Sequence, residues 1–215
     1  MLRFENTADA DVDVDAEHAL PGRGEPVLSM PFLHRITANR LDREFPGAET
    51  AYLAAGCFWG VEKLYWNLPG VLSTAVGYMG GYTPNPTYEE VCTGQTGHAE
   101  TVRVVFDPTR TSYAQLVRLF FENHDPTQLN RQGADVGTQY RSALFATSPA
   151  QEATARRLYE SFQASMTEAG YGRLVTQIAP AGDWYYAEGY HQQYLEANPD
   201  GYCPVHATGI RCSAV

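Results

Sequence analysis

A cysteine set between glycine and two aromatic residues, Gly56-Cys57-Phe58-Trp59-Gly60, is the feature of this chain best placed to do chemistry. It follows an apolar run, Ala51-Tyr52-Leu53-Ala54-Ala55, that reads as a short buried strand. It precedes Val61, Leu64, Tyr65 and Leu68, whose spacing is one face of a helix. Cys57 then occupies the first helical turn, where unpaired backbone N–H groups and the macrodipole favour an anion. Such a position lowers a thiol pKa and yields a nucleophilic thiolate, and Gly56 permits the sharp turn that leads into it. The competing reading is an inert buried cysteine. Trp59 falls almost opposite the helix stripe, so a plain core role does not explain it; Trp66 shares its face, and both could pack under another layer or the N-terminal segment.

A second group of interest is Glu100. In Gly97-His98-Ala99-Glu100-Thr101-Val102-Arg103-Val104-Val105-Phe106, positions 102, 104 and 106 are apolar with period two, and Glu100 continues their parity. A carboxyl at the mouth of a core face is desolvated, which raises its pKa and suits it to general-acid work near neutral pH. If the strand begins at Thr101 instead, Glu100 is simply exposed. Tyr78, Tyr82, Tyr88 and Tyr140 sit in or beside polar, glycine-containing segments where a phenol can donate to a ligand oxygen. Asp135 can equally cap a turn, and His191 can equally be a packing residue on a helix.

Two more thiols, Cys203 and Cys212, lie in a C-terminal tail read as mobile. Cys203-Pro204-Val205-His206 with Cys212 and His191 admits a zinc reading, but no second tight pair accompanies it. A tail carrying two thiols is better suited to resolving an oxidised Cys57 by thiol–disulfide exchange.

The elements that must position these residues follow from pattern. Residues 1–48, with Pro21, Gly22, Gly24, Pro26 and Pro31, read as an extension from which Phe32, Leu33, Ile36 and Leu41 can tuck against a core. Strands are predicted over 51–55, 71–78, 101–106, 139–146 and 173–179. Helices are predicted over 61–68, 113–121, 149–166 and 188–196, the third opened by Ser148 and Pro149 as N-cap and first residue. Residues 79–97 and 125–137 read as loops. Alternating strands and helices on one small sheet suggest an α/β sandwich or plait of roughly one domain.

The 215 residues include 15 Lys and Arg against 25 Asp and Glu, a net charge of -10. That balance argues against nucleic-acid binding and basic membrane-surface binding. No run approaches the roughly 18 apolar residues of a membrane span. The first 30 residues carry an acidic ladder, Asp9, Asp11, Asp13, Asp15 and Glu17, rather than a basic start and apolar run, so a cytoplasmic setting is expected. Four cysteines are too few for a disulfide scaffold, and in a reducing compartment their positions carry the meaning.

Five ordered blocks together resemble the A-type peptide methionine sulfoxide reductases, over about residues 50–203. They are Gly56-Cys57-Phe58-Trp59-Gly60, Tyr88-Glu89-Glu90-Val91-Cys92-Thr93-Gly94, Gly97-His98-Ala99-Glu100, Gly137-Thr138-Gln139-Tyr140-Arg141-Ser142 and Tyr190-His191-Gln192-Gln193-Tyr194-Leu195. The resemblance implies an α+β, ferredoxin-like plait in a single domain, with an extension at 1–48, a catalytic core at 49–195 and a redox tail at 196–215. It implies that Cys57 attacks the sulfoxide sulfur, that Glu100 donates a proton to its oxygen, and that Tyr88 and Tyr140 hydrogen-bond that oxygen. Phe58 and Trp59 would hold the S-methyl group, selecting the S epimer, free or in proteins, and Asp135 would anchor the site from behind. Cys203 would resolve the oxidised Cys57, and Cys212 would pass the disulfide to thioredoxin, with no bound cofactor or metal. Cys92 would be structural. The 204–209 segment is poorer in glycine than the family's tails usually are, and the extension lies outside the core match. The chemistry requires a thiolate and a neutral acid together, because a sulfoxide sulfur is a poor electrophile until its oxygen is protonated. A cysteine-nucleophile hydrolase is the rival enzyme class, and it requires a histidine paired with Cys57.

Overall fold

A computed structural model describes residues 14–203 and 206–212. Asp9, Asp11 and Asp13 of the acidic ladder, and Pro204 and Val205 of the tail, lie outside the described residues.

The chain runs β1 (Glu49–Ala55), α1 (Phe58–Tyr65), β2 (Val71–Met79), α2 (Tyr88–Cys92), β3 (Ala99–Phe106) and α3 (Tyr113–Glu122). It continues through a small hairpin, β4 (Arg131–Gln132) and β5 (Asp135–Val136), and a 3-10 turn at Thr138–Tyr140. Then come β6 (Ser142–Ala146), α4 (Pro149–Glu168), β7 (Gln177–Pro180), β8 (Tyr185–Tyr186) and α5 (Tyr194–Ala197). The main sheet has the order β7-β6-β1-β3-β2-β8. Only β6 and β7 are parallel; the other pairs are antiparallel. Its four central strands, with α1 and α3 as the two crossovers, thread as β1-α1-β2-β3-α3-β6 in the sheet order β6-β1-β3-β2. That is the ferredoxin-like plait, with β7 and β8 added at the edges.

Alternation along the strands sorts the core into two faces. Leu53, Val76, Tyr78, Val102, Val104, Phe106 and Leu144 meet α1, α3 and α4. Helix α4 brings Ala155, Leu158, Phe162 and Met166 along one stripe, and Phe162 stacks on Phe121 of α3 at 5.3 Å between ring centroids. Each of the larger ones, Leu158, Phe162 and Met166, contributes about 1.5–3 kcal/mol by leaving water. Ser148 caps α4 by accepting from the Gln151 N–H, and Pro149 follows it. On the opposite face, Ala54, Met79, Ala143 and Phe145 are covered near Trp184, while Leu28 and Leu41 of the extension bury Ala75 with Met30 and Phe32 beside them. The extension thus packs as expected through Phe32 and Leu41, whereas Leu33 stays 57% exposed.

Several boundaries differ from the sequence reading. Helix α2 lies inside the predicted 79–97 loop, nucleated by a capping box in which Thr87 accepts from the Glu90 N–H and Glu90 accepts from the Thr87 N–H. The 125–137 loop contains the β4–β5 hairpin. Residues 138–140 form the 3-10 turn rather than the start of β6. Residues 173–176 join no ladder; Val175 instead donates to the Pro126 carbonyl. The predicted 188–196 helix reduces to turns followed by α5, because Gln193 adopts a left-handed backbone, φ 47° and ψ 46°. Among the described residues no helix is long and apolar enough to cross a membrane.

Candidate active site

Cys57 is the N-cap of α1, one residue earlier than the pattern placed it. Gly56 before it has φ +91°, and a side chain there would collide with Gln132, whose amide is locked by bonds to the Asp125 N–H and carbonyl. The β4–β5 hairpin is therefore pressed against the turn that presents the thiol. Cys57 is only 9% exposed. Burial, then the negative charge of Glu100, push its pKa far above the ordinary thiol range, and Asp135 adds to this. The backbone N–H groups of Trp59 and Gly60 work in the opposite direction but do not prevail. The expected depressed thiol is thus corrected: enclosure outweighs the first-turn N–H groups while Glu100 is charged.

Glu100 lies within β3, directly across from Tyr78 on β2, and only 2% of it is exposed. The strand begins at Ala99, so the parity that puts Glu100 on the helix-facing side holds. Its Oε2 accepts from the Phe58 N–H at 2.9 Å, which fastens it to the residue after Cys57. Burial raises its pKa to about 8; the Phe58 bond pulls the other way and Asp135 pushes further up. At neutral pH it carries a proton, and this removes the charge that most disfavours the Cys57 thiolate. The two groups constrain each other: the thiol ionises most readily when the acid is neutral.

Tyr88, at the start of α2, and Tyr140, in the 3-10 turn, are half-buried. Both phenol pKa values are raised, chiefly by burial, so both remain donors. The charges of Glu100 and Asp135 add to the rise at Tyr140, and that of Glu100 adds to the rise at Tyr88. Cys92 shares a hydrogen bond with the Tyr88 hydroxyl and is exposed. Tyr78 is buried and donates to Glu188 at 3.1 Å, while Tyr82 is 52% exposed.

Phe58 is buried against Tyr78, and Trp59 is half-buried. Trp59 stacks on Tyr194 at 3.9 Å and donates from its indole N–H to His191 Nδ1 at 3.1 Å. The His191 ring also lies 5.2 Å from Phe58 and 4.7 Å from Tyr88. Burial lowers its pKa to about 4, so it is neutral, with its proton on Nε2 as the Trp59 bond requires. His191 is therefore a wall of the pocket, not a base for Cys57. Trp66 is buried, whereas Trp59 is half-buried.

Asp135, on β5, accepts from the Tyr202 hydroxyl at 2.9 Å. This ties the residue before Cys203 to the hairpin beside Cys57. Cys203 is exposed. Cys212 is not on a loose tail: its N–H donates to Glu122 of α3 at 2.9 Å, and Arg211 pairs with the same carboxylate at 2.7 Å. The reading of a wholly mobile tail is corrected for residues 206–212, whose Ile210 and Cys212 pack on the core. All four cysteines are free thiols, and among the described residues no cluster of His, Cys, Asp and Glu could hold a metal ion.

Sequence reasoning missed Glu188, which accepts from both Tyr78 and the Tyr88 N–H, and Glu62, a fully buried carboxyl on α1. Glu62 had a legible signal, since it sits beside Val61 on the inward side of the helix stripe. Glu188 had none, because its partners are about a hundred residues away in the chain.

A buried thiol beside a buried carboxyl whose pKa is raised to about 8 is an arrangement suited to cysteine chemistry on a group that must be protonated. A hydrolase would need an imidazole paired with the thiol, and His191, packed beside Phe58, accepts from Trp59 instead. Comparison with known proteins narrows the class. Residues 49–214 match the family described as Peptide methionine sulfoxide reductase. The chain is 54% identical over 205 residues to "Peptide methionine sulfoxide reductase MsrA" of Corynebacterium kroppenstedtii, covering 93% of each. The solved "Methionine sulfoxide reductase A of Corynebacterium diphtheriae" superposes with a TM-score of 0.83 at 47% identity, over 94% of this chain and 98% of that one. Mxr1 of Saccharomyces cerevisiae, solved in complex with Trx2, superposes with a TM-score of 0.51 at 25% identity, over 79% and 94%. The chain belongs to the peptide methionine sulfoxide reductases and is an oxidoreductase that reduces the S-sulfoxide of methionine to methionine through a thiol.

Proposed function

We propose that Cys57 is the nucleophile and Glu100 the proton donor of this reduction, for methionine sulfoxide both free and in proteins. The observation that carries the assignment is the Phe58 N–H bond to Glu100, which sets a buried, protonated carboxyl beside Cys57. The Cys57 sulfur attacks the sulfoxide sulfur while the Glu100 proton passes to the oxygen. The protonated oxygen then passes from the substrate sulfur to the Cys57 sulfur, breaking both the S–O bond and the S–S bond made by the attack; methionine leaves with its sulfur reduced by two electrons, and Cys57, oxidised by two, is left as a sulfenic acid. Tyr88 and Tyr140 donate hydrogen bonds to the oxygen, which gains negative charge as Cys57 attacks the sulfur. Phe58 and Trp59 receive the S-methyl group, and the pocket's fixed positions for methyl and oxygen select one epimer.

The relay follows by thiol–disulfide exchange. Cys203 attacks the Cys57 sulfenic acid, expelling water and forming a disulfide; Cys212 attacks the Cys203 sulfur and frees Cys57; a thioredoxin dithiol then reduces the 203–212 disulfide. Asp135 supports the first exchange by holding Tyr202, and hence Cys203, near the hairpin. The Mxr1–Trx2 complex supports thioredoxin as the electron donor. Such transient disulfides require a reducing setting, so the cytoplasm is proposed as the location. The working unit is proposed to be one domain, with the extension at 1–48, the core at 49–195 and the redox tail at 196–215.

An assay with resolved S and R methyl sulfoxides tests the assignment. Cys57→Ser should abolish reduction of the S epimer, a fall on the order of a thousandfold or more; retained turnover would overturn the nucleophile. Cys212→Ser should keep a single turnover yet slow thioredoxin-coupled cycling. Mass spectrometry of the oxidised wild type should show a 203–212 bridge; finding only 57–203 counts against the last transfer.

A further inference from the structure

The wall that faces Trp59 is held in place from behind. His191 and Tyr194 flank Gln192 and Gln193, all but Tyr194 essentially buried. The Gln192 amide copies a strand partner: its Oε1 accepts from the Val76 N–H at 3.0 Å, and its Nε2 donates to the Val76 carbonyl at 2.8 Å. Gln193 has the left-handed backbone that turns the chain between the two wall residues. A non-glycine residue is strained in that conformation and persists there only where its surroundings fix it.

Glu62 supplies that fixing. Its Oε2 accepts from the Gln193 N–H at 2.9 Å, and its Oε1 accepts from Gln193 Nε2 at 2.7 Å and from the Thr74 hydroxyl at 2.8 Å. The extension grips the same turn from outside. The Arg35 N–H donates to Gln193 Oε1 at 3.1 Å, its guanidinium Nε donates to the Gln192 carbonyl at 3.0 Å, and Phe32 packs where a side chain on Gly189 would sit. Glu62 is three residues after Trp59 on α1, so one helical turn carries both the indole and the anchor of the wall that the indole meets.

We propose that Glu62 and Arg35 are positioning residues for the sulfoxide pocket, acting through Gln193 on the wall formed by His191 and Tyr194. The proposal rests on Trp59 being the methyl-binding surface. It gives the extension a purpose: residues 32–35 determine how tightly the pocket closes on the methyl group, without touching the substrate. Glu62→Gln keeps the shape but turns an amide N–H toward the Gln193 N–H, so one of the three bonds becomes a donor–donor conflict.

The test is single-turnover reduction of a free S-methyl sulfoxide, where the tail relay plays no part. Glu62→Gln should raise the half-saturating sulfoxide concentration about tenfold, the equivalent of one lost hydrogen bond to a charged group, with the saturated rate within about threefold. Arg35→Ala, a substitution at an exposed site, should raise it by about threefold. In a Gln193→Gly background, where the left-handed backbone carries no strain and needs no anchor, the Glu62→Gln effect should fall to less than half. Unchanged half-saturation in Glu62→Gln, with only a lower melting temperature, would overturn the proposal. Full additivity with Gln193→Gly would also overturn it. A wild-type chain that fails to reduce the sulfoxide would count against the site assignment instead, so the two failures are distinguishable.

Discussion

Two carboxyls are buried at α1, Glu62 on the helix itself and Glu100 on β3 bonded to its first residue, and their surroundings supply them with donors unequally. Glu62 accepts from three donors, the Thr74 hydroxyl and two N–H groups of Gln193, and its pKa rises to about 7, chiefly through burial, with those donors pulling it back. Glu100 accepts from the Phe58 N–H, and burial takes it to about 8. Desolvation acts on both; the supply of donors differs. The well-supplied carboxyl holds structure together. The sparsely supplied one keeps its proton through the physiological range and can give it away. In the acid proposed here burial with a single donor does most of the raising, and the charge of Asp135 adds to it.

The contrast can be broken most sharply at Glu100. In Glu100→Gln the sulfoxide-reduction step, followed as sulfenic-acid formation by stopped flow, should slow by about 10²–10⁴-fold, with the melting temperature near wild type. A wild-type rate would remove the acid role and with it the contrast. Removal of the apolar-shaped equivalents should separate the two in stability. Glu62→Leu strands three buried donors and should lower unfolding free energy by about 2–4 kcal/mol in urea, whereas Glu100→Leu strands the Phe58 N–H and should cost about 1 kcal/mol. Equal losses would mean that Glu100 is as structural as Glu62.

The pH dependence sharpens the same point. The saturated single-turnover rate should fall as pH rises through about 8, where Glu100 loses its proton, and Glu100→Gln should lack that limb. Stability has the matching sign. Both folded-state pKa values lie above the ordinary glutamate value of 4.5, so their contributions are full below pH 4.5. They are lost as pH rises, through about 7 for Glu62 and about 8 for Glu100. Urea midpoints measured from pH 4 to 9 should therefore decline across that window, and less steeply in Glu100→Gln. The smallest effect is expected for Thr74→Val, which removes one donor to Glu62 and should cost about 1 kcal/mol without altering the chemical step.

Much of this site is legible in the residue pattern alone. Period two in Val102, Val104 and Phe106 places Glu100 on the helix-facing side, because strand alternation leaves no other choice. Ser148-Pro149 opens α4 where a cap and a first-turn proline must stand. The same pattern misleads at Gln193, where a left-handed residue interrupts a helix-like spacing. That conformation is sustained by Glu62 and Arg35, distant in sequence, which no local propensity registers. It misleads again at Cys57, whose position in the first turn is right in kind but whose pKa moves in the opposite direction. The N–H groups of α1 are local; the enclosure and the Glu100 charge come from other elements. Nor does local pattern register the docking of Cys212 on Glu122, a contact between residues ninety positions apart.

The amino-acid order thus determined which residues could react, the plait that carries them and the family to which they belong, because these depend on local spacing and on strand and helix periodicity. Tertiary structure alone decided how far burial raises the two carboxyl pKa values, that His191 packs against Trp59, and where Cys212 rests. Those outcomes depend on burial and on donors contributed by distant segments, quantities that exist only once the chain has closed on itself.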